Sequence, residues 1–391
     1  MYPHQIERLT QALEHDGFEA LVATRPANVF YVSGFRSLSR AVDPTTELFA
    51  VFAPRGVALV VPAIDGPAVA VESASVDHVV CYGAFVYEVG DGRDEGARRV
   101  GAWLQDRAAD PAEGLVRALA ALGVRGGRVG LCAAGASEAT RRGVAAHLPS
   151  VSLLDATTAF ARARVVKGPW ELECLARALA IAEESVNEVL QVLKPGVGER
   201  EAATLYEAEV AKRGAEPCAT LIAMGERSAL PAAYPSARAL RPGDLVRFGV
   251  GCVFQGYRSQ VARTAVMGEP TALQATRHAA ILAGQQAAID AIRSGGIAGA
   301  VFEAAVRAVR GAGIPGYGRH HVGHGIGLDG VEPPWLAPGG DTTLETGMVL
   351  RVETPYYEHG WGGLGVTDTV LVTTHGARVL NRSERGLVIL D

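Results

Sequence analysis

His320, His321 and His324 fall within five residues of one another, in a chain with only 10 histidines among 391 residues. Imidazoles so close together can pass protons near neutral pH or bind a metal. Gly323, Gly325 and Gly327 surround His324, and glycine lets backbone approach a neighbour closely. A glycine-rich turn with hydrogen-bonded histidines would read the same way, so spacing leaves both readings open. Farther on, Val349, Arg351 and Glu353 alternate along a stretch that reads as a strand, which puts them on one face. A carboxylate among apolar neighbours is costly to bury alone, so Glu353 should meet a cation or a donor. His324 and Arg351 are the candidates, although residues two apart on a strand lie roughly 6.6 Å apart.

The stretch from Gly243 to Thr264 reads as a β-hairpin centred between Phe254 and Gln255. That centre sets positions 249 and 260 opposite each other on one face. Two carboxylates there could share a pair of metal ions. The chain has Gly249 and Gln260 instead, and neither supplies negative charge.

The elements that must position these groups divide into two sets. Residues 5–16 read as an amphipathic helix, a buried strand is expected at 19–23, and further strands at 48–52, 57–61, 79–82 and 129–132. Helical patterns at 112–122 and 137–147 complete an α/β domain over residues 1–160. Residues 162–168 read as the connection to a second domain, 161–391. There a helix from Trp170 to Leu193 shows a 3.6-residue apolar period, and Pro195-Gly196 stops it. A helix at 199–213, strands over 218–267, helices at 271–293 and 298–312 and strands over 346–380 follow. Two helix pairs, each followed by antiparallel strands, give a pseudo-duplicated α+β half.

Composition narrows the class. The length suits two domains, and 48% hydrophobic residues supply ample cores. A net charge of −5 and the lack of a basic tract argue against nucleic acid as a partner. No apolar run is long enough to span a bilayer, and Met1–Leu9 is polar and unlike a secretory signal. The five cysteines are odd in number and scattered, which argues against a disulfide framework. Cys252 reads as buried packing and Arg263 as support for the hairpin. The expectation is a reduced, cytoplasmic protein that takes a small-molecule substrate and no cofactor.

Three motifs together, GYRSQVARTAVMGEP, HHVGHGIGLDGVEPP and GMVLRVETPYY, resemble the pita-bread family that includes aminopeptidase P, prolidase, methionine aminopeptidase and creatinase. Gln5 to Phe35, with FYVSGF, is similar to the small N-terminal domain of the creatinase and aminopeptidase P branch. The resemblance implies an α+β pita-bread domain preceded by a smaller α/β creatinase-type domain. It implies a homodimer as well, in which Phe35 and Arg36 approach the other subunit's site. Dinuclear members hold their metals with two aspartates, a histidine and two glutamates. Those positions fall at Gly249, Gln260, His324, Glu353 and Thr367, the last just before Asp368. A slip of one residue on a strand reverses a side chain, so Asp368 should not replace Thr367. Two further histidines of the peptidases would fall at Ala232 and Val331, while His320 matches a third. A metal site is therefore not expected.

Three readings follow. In the first, the chain is a metal-independent, creatinase-like enzyme that cleaves a C–N bond in a small amino-acid-derived or guanidino substrate. His324, Glu353 and His320 are then catalytic. Arg351, Arg258, Gln260, Tyr257 and Phe35 bind substrate, with Arg247 a further candidate for its carboxylate. The second reading is a binding or scaffold protein without turnover. The third is an Xaa-Pro metallopeptidase with altered ligands.

Overall fold

A computed structural model describes residues 2–72, 76–88 and 94–391. Met1, part of the polar N-terminal stretch, lies outside them. The chain divides into two compact units, Met1–Arg164 and Val165–Asp391. The expected boundary near 160 lies inside the helix Thr157–Val165, and the division comes at the end of that helix.

The first unit is built on a six-stranded mixed sheet. Its strands are β1 (Ala20–Ala23), β2 (Phe49–Ala53), β3 (Gly56–Pro62), β4 (His78–Tyr82), β5 (Gly127–Leu131) and β6 (Val151–Asp155). They run in the order β4-β3-β2-β1-β5-β6. All of β1 and β2 is buried, as expected of strands covered on both faces. Phe49, Val51, Val60, Leu115, Leu119 and Val129 form the centre of the core. The helices Pro26–Ser33 and Glu95–Gln105 and the strand β6 were not expected from the sequence. The first is short and buries Asn28 and Ser33 among apolar residues, which blurs its period.

The second unit is built on a ten-stranded sheet and a separate two-stranded one, with two helix pairs packed against the larger. Its strands are β7 (Glu216–Met224), β8 (Leu245–Phe254), β9 (Tyr257–Arg258), β10 (Val261–Met267), β11 (Gly323–Gly325), β12 (Glu332–Trp335), β13 (Val349–Glu353), β14 (Tyr356–Glu358), β15 (Gly362–Leu364), β16 (Thr367–Thr373), β17 (Gly376–Val379) and β18 (Val388–Leu390). The main path is β12-β11-β13-β16-β10-β8-β7; β17, β18 and β9 attach at its side, and β14 pairs with β15 apart from it. The helices Pro169–Val192 and Glu199–Lys212 pack with Val246, Phe248 and Val250 in one core. The helices Ala272–Ala291 and Ala298–Gly311 pack with Leu350, Val352 and Val370 in another. The first of these helices begins with Pro169, where the missing N–H costs nothing, and Glu171 reaches back 2.8 Å to the amide of Gly168.

Val246, Phe248 and Val250 of β8, Leu350 and Val352 of β13 and Val370 and Val372 of β16 therefore enter the cores, and Arg247, Gly249, Arg351, Glu353 and Thr367 between them face the other way. No described helix is long and apolar enough to cross a membrane. The five cysteines are free, and Cys252 is wholly buried.

Candidate functional site

The odd-numbered face carries the site. Ala262 on β10 lies opposite Gly249 on β8 and opposite Thr367 on β16, and Thr367 lies opposite Glu353 on β13. Gly249, Ala262, Thr367 and Glu353 thus form one row across four strands. Arg351 lies opposite His324 on β11. Above this row opens a cavity of about 390 Å³, lined by Leu221, Ala232, Arg247, Gly249, Gln260, Arg351, Glu353, Tyr357 and Thr367 among others.

The hairpin differs from expectation in register. Phe254 pairs with Tyr257 around the two-residue turn Gln255-Gly256, and both turn residues have positive φ. That geometry matches the twist of the strands it joins. The centre thus falls one residue later than expected, so Gly249 faces Ala262 rather than Gln260. A partner shift of two residues keeps the face unchanged, and Gln260 still reaches the cavity.

Arg351 organises the charges. It donates to Glu353 Oε2 and approaches His324 Nε2 at 3.1 Å. His324 Nδ1 lies 2.8 Å from the carbonyl of Gly325, which only accepts, so Nδ1 carries the proton and Nε2 receives Arg351. Arg319 approaches Glu353 Oε1 at 3.5 Å, and His321 Nδ1 lies 3.8 Å from the same oxygen. Burial alone would raise the Glu353 carboxyl, but the guanidiniums of Arg351 and Arg319 outweigh it and hold it below the ordinary range. Burial, aided by Arg351, lowers the His324 imidazole. Burial pushes His321 down to about 4.

Several expected site residues lie elsewhere. His320 is exposed and stands edge-on to His321, with ring centroids 4.4 Å apart. Tyr257 is fully buried and its hydroxyl donates to Glu171 at 2.8 Å, so it anchors the hairpin to a helix rather than touching a ligand. Arg258 donates to the carbonyl of Leu328 at 3.2 Å and ties the hairpin to the loop after His324. Phe35 is 2% exposed in the core of the first unit, with no face open to a substrate there. Asp368 turns to the opposite face from Thr367, where Arg263 and Arg385 hold it at 2.9 and 2.7 Å. Lys167 pairs with Glu332 at 3.0 Å in the interior.

Sequence reasoning missed Arg319 and Tyr357, and it named Arg247 only as a candidate. Arg247 alternates with Gly249 on β8, which was the available signal. Its Nε donates to the carbonyl of Ser228 at 2.6 Å, its Nη2 to that of Leu230, and its guanidinium lies 5.0 Å from the centre of the Tyr357 ring.

Residues 5–166 match the creatinase/prolidase N-terminal domain, and residues 173–374 match metallopeptidase family M24. The second match takes in every cavity residue named above.

The chain belongs to metallopeptidase family M24.

Among the M24 relatives, an Xaa-Pro dipeptidase of Pyrococcus furiosus is 34% identical over 227 residues, 58% of this chain and 65% of its own length. The chain thus matches somewhat less than two thirds of that relative. A dipeptidase PepE from Mycobacterium ulcerans of known structure aligns with a TM-score of 0.79 at 25% identity, over 99% of this chain and 97% of its own. An X-Pro aminopeptidase structure from Thermotoga maritima aligns with a TM-score of 0.81 over 98% of this chain and 99% of its own. At 22% identity it speaks to the fold alone.

The family implies a metal centre, and the residues present do not fit a pair of dications. Among the described residues no group of three or more His, Cys, Asp or Glu side chains is disposed to hold a metal. The row offers one carboxylate, already bonded to Arg351, and the imidazole beside it faces the same guanidinium. Dications need several anionic oxygens, and nearby guanidiniums oppose them.

Proposed function

We propose that this M24 chain is a hydrolase that cleaves the amide C–N bond of a small, amino-acid-derived substrate held in the cavity beside Arg247 and Arg351. The observation that carries this reading is the similarity to a protein named Xaa-Pro dipeptidase, together with a family match that spans the whole cavity. The comparisons support a dipeptidase-type substrate over the creatinase-like, guanidino substrate expected from the sequence. The donor set supports a reaction without a metal pair.

In this reading the residues divide by task. Arg351, held by His324 and Glu353, is fixed in place and shapes the cavity wall. His324 is a positioning residue, because its Nε2 lone pair faces Arg351 and is not free to take a proton. Gln260 presents a neutral amide to the ligand. His321 accepts from the Gly323 amide through Nδ1, so Nε2 carries its proton.

A second reading, a binding protein without turnover, is favoured by one observation. His324, His321 and Glu353 are each engaged by partners and each is held away from the pKa of a base working near neutrality.

The test incubates the purified chain with Ala-Pro, Ala-Ala and N-acyl amino acids, with and without chelator, and follows products by mass spectrometry. Metal content is measured on the same sample. Chelator-resistant cleavage is expected. Two equivalents of tightly bound manganese, zinc or cobalt with chelator-sensitive cleavage would restore a metal-dependent dipeptidase. Absence of product from every compound would leave the binding protein.

A further inference from the structure

Arg247 is 4% exposed and has no carboxylate partner among the described residues. Its hydrogen-bond partners are two neutral carbonyls, of Ser228 and Leu230, and Tyr357 offers only a ring face. A buried guanidinium with no carboxylate in contact is costly, and burial draws its affinity for its proton down against the longer-range pull of Tyr357 and Glu353. The remaining nitrogen, Nη1, points to the cavity: a Cβ placed on Gly249 would stand 3.6 Å from it, and both residues line the cavity wall. Glycine at 249 leaves open the space in front of that nitrogen.

The anion that would satisfy Arg247 does not come from the cavity lining. Glu353 is its one carboxylate among the described residues, and Arg351 engages one of its oxygens while Arg319 approaches the other at 3.5 Å. An incoming ammonium therefore finds no free carboxylate, whereas an incoming carboxylate finds an unpaired guanidinium.

We infer that the cavity is an anion seat, in which Arg247 receives the free carboxylate of the ligand and the amino end of the ligand is uncharged. The chemical class is an N-acylated amino acid, in preference to a zwitterionic dipeptide. This rests on the proposed function only for the bond to be cleaved. An N-acyl amino acid carries the same amide link as a dipeptide without its ammonium group.

The test is calorimetric binding of N-acetyl-L-proline, N-acetyl-L-prolinamide and L-alanyl-L-proline to the full chain. The acid is expected to bind about tenfold tighter than the amide, or better, as a charge-assisted bond to Arg247 requires. It should also bind tighter than the zwitterion. Arg247→Gln should erase the gap between acid and amide, and Arg247→Lys should retain part of it. Acid and amide binding within about twofold of each other, no binding at millimolar concentration, or a gap that survives in folded Arg247→Gln would overturn the inference. If Arg247→Gln does not fold, the comparison of acid with amide on the unaltered chain decides. Cleavage of acid and amide alike would sink the anion seat and keep the hydrolase. Selective binding without product would do the reverse.

Discussion

Single side chains set the pH response of this protein. His278 lies on the helix Ala272–Ala291, 4% exposed, and its Nε2 has no hydrogen-bond partner among the described residues. Burial lowers its pKa from 6.5 to about 4. The unfolded chain therefore binds a proton between those values that the folded chain refuses. The stabilisation is complete above pH 6.5 and is lost as the pH falls toward 4, about 3 kcal/mol for a shift of that size. His278→Leu should flatten the fall in urea midpoint between pH 7 and pH 4.5, and an unchanged slope would assign the fall to other groups. Glu353 carries the opposite charge problem. Glu353→Gln removes the counter-anion of Arg351 and Arg319 and should cost about 3 to 5 kcal/mol, read as a lower urea midpoint at pH 7.

Strand β8 shows how one element can place both a charge and the gap beside it. Its even residues fill a core, so Arg247 and Gly249 are turned together toward the cavity. Gly249→Asp would set a carboxylate beside Arg247 Nη1, where a Cβ meets only ordinary contacts at 3.6 to 3.8 Å. The new pair should raise stability by about 1 to 3 kcal/mol and compete with a ligand carboxylate. Higher melting temperature with weaker binding of N-acetyl-L-proline is the expected pattern. Two residues along, Gly251 faces a different constraint, since a Cβ there would lie 2.2 Å from the carbonyl oxygen of Ser259. Backbone cannot yield as a side-chain tip can. Gly251→Ala should therefore lose about 1 to 3 kcal/mol, measurable by thermal melting.

At the scale of the whole molecule, each unit has cores of its own. Val165–Asp391 contains both helix pairs, both of their cores and every cavity residue. Expressed alone, that segment should keep a cooperative thermal transition and the near-ultraviolet signature of packed aromatic side chains. A fragment with helical content but no such signature would mean that its packing depends on the first unit.

The sequence by itself determined the class of both units. Apolar periods of 3.6 and 2 residues are local properties, and they located the helix Pro169–Val192, β8 and β13 to within a few residues. The motifs around His324 and Glu353 were equally local and led to the family. The parity of β16 was enough to separate Thr367 from Asp368. Other features were decided only by the tertiary structure. The hairpin register depended on positive φ at Gln255, a conformation that its residue type does not announce. Tyr257 and Phe35 looked available for a ligand because exposure is not a property of a segment but of what folds over it. Arg247 gained its significance because β8 lies beside the segment carrying Ser228 and Leu230, whose carbonyls hold it without neutralising it. A buried charge is defined by its partners, and partners far apart in the chain become neighbours only when the sheet is assembled.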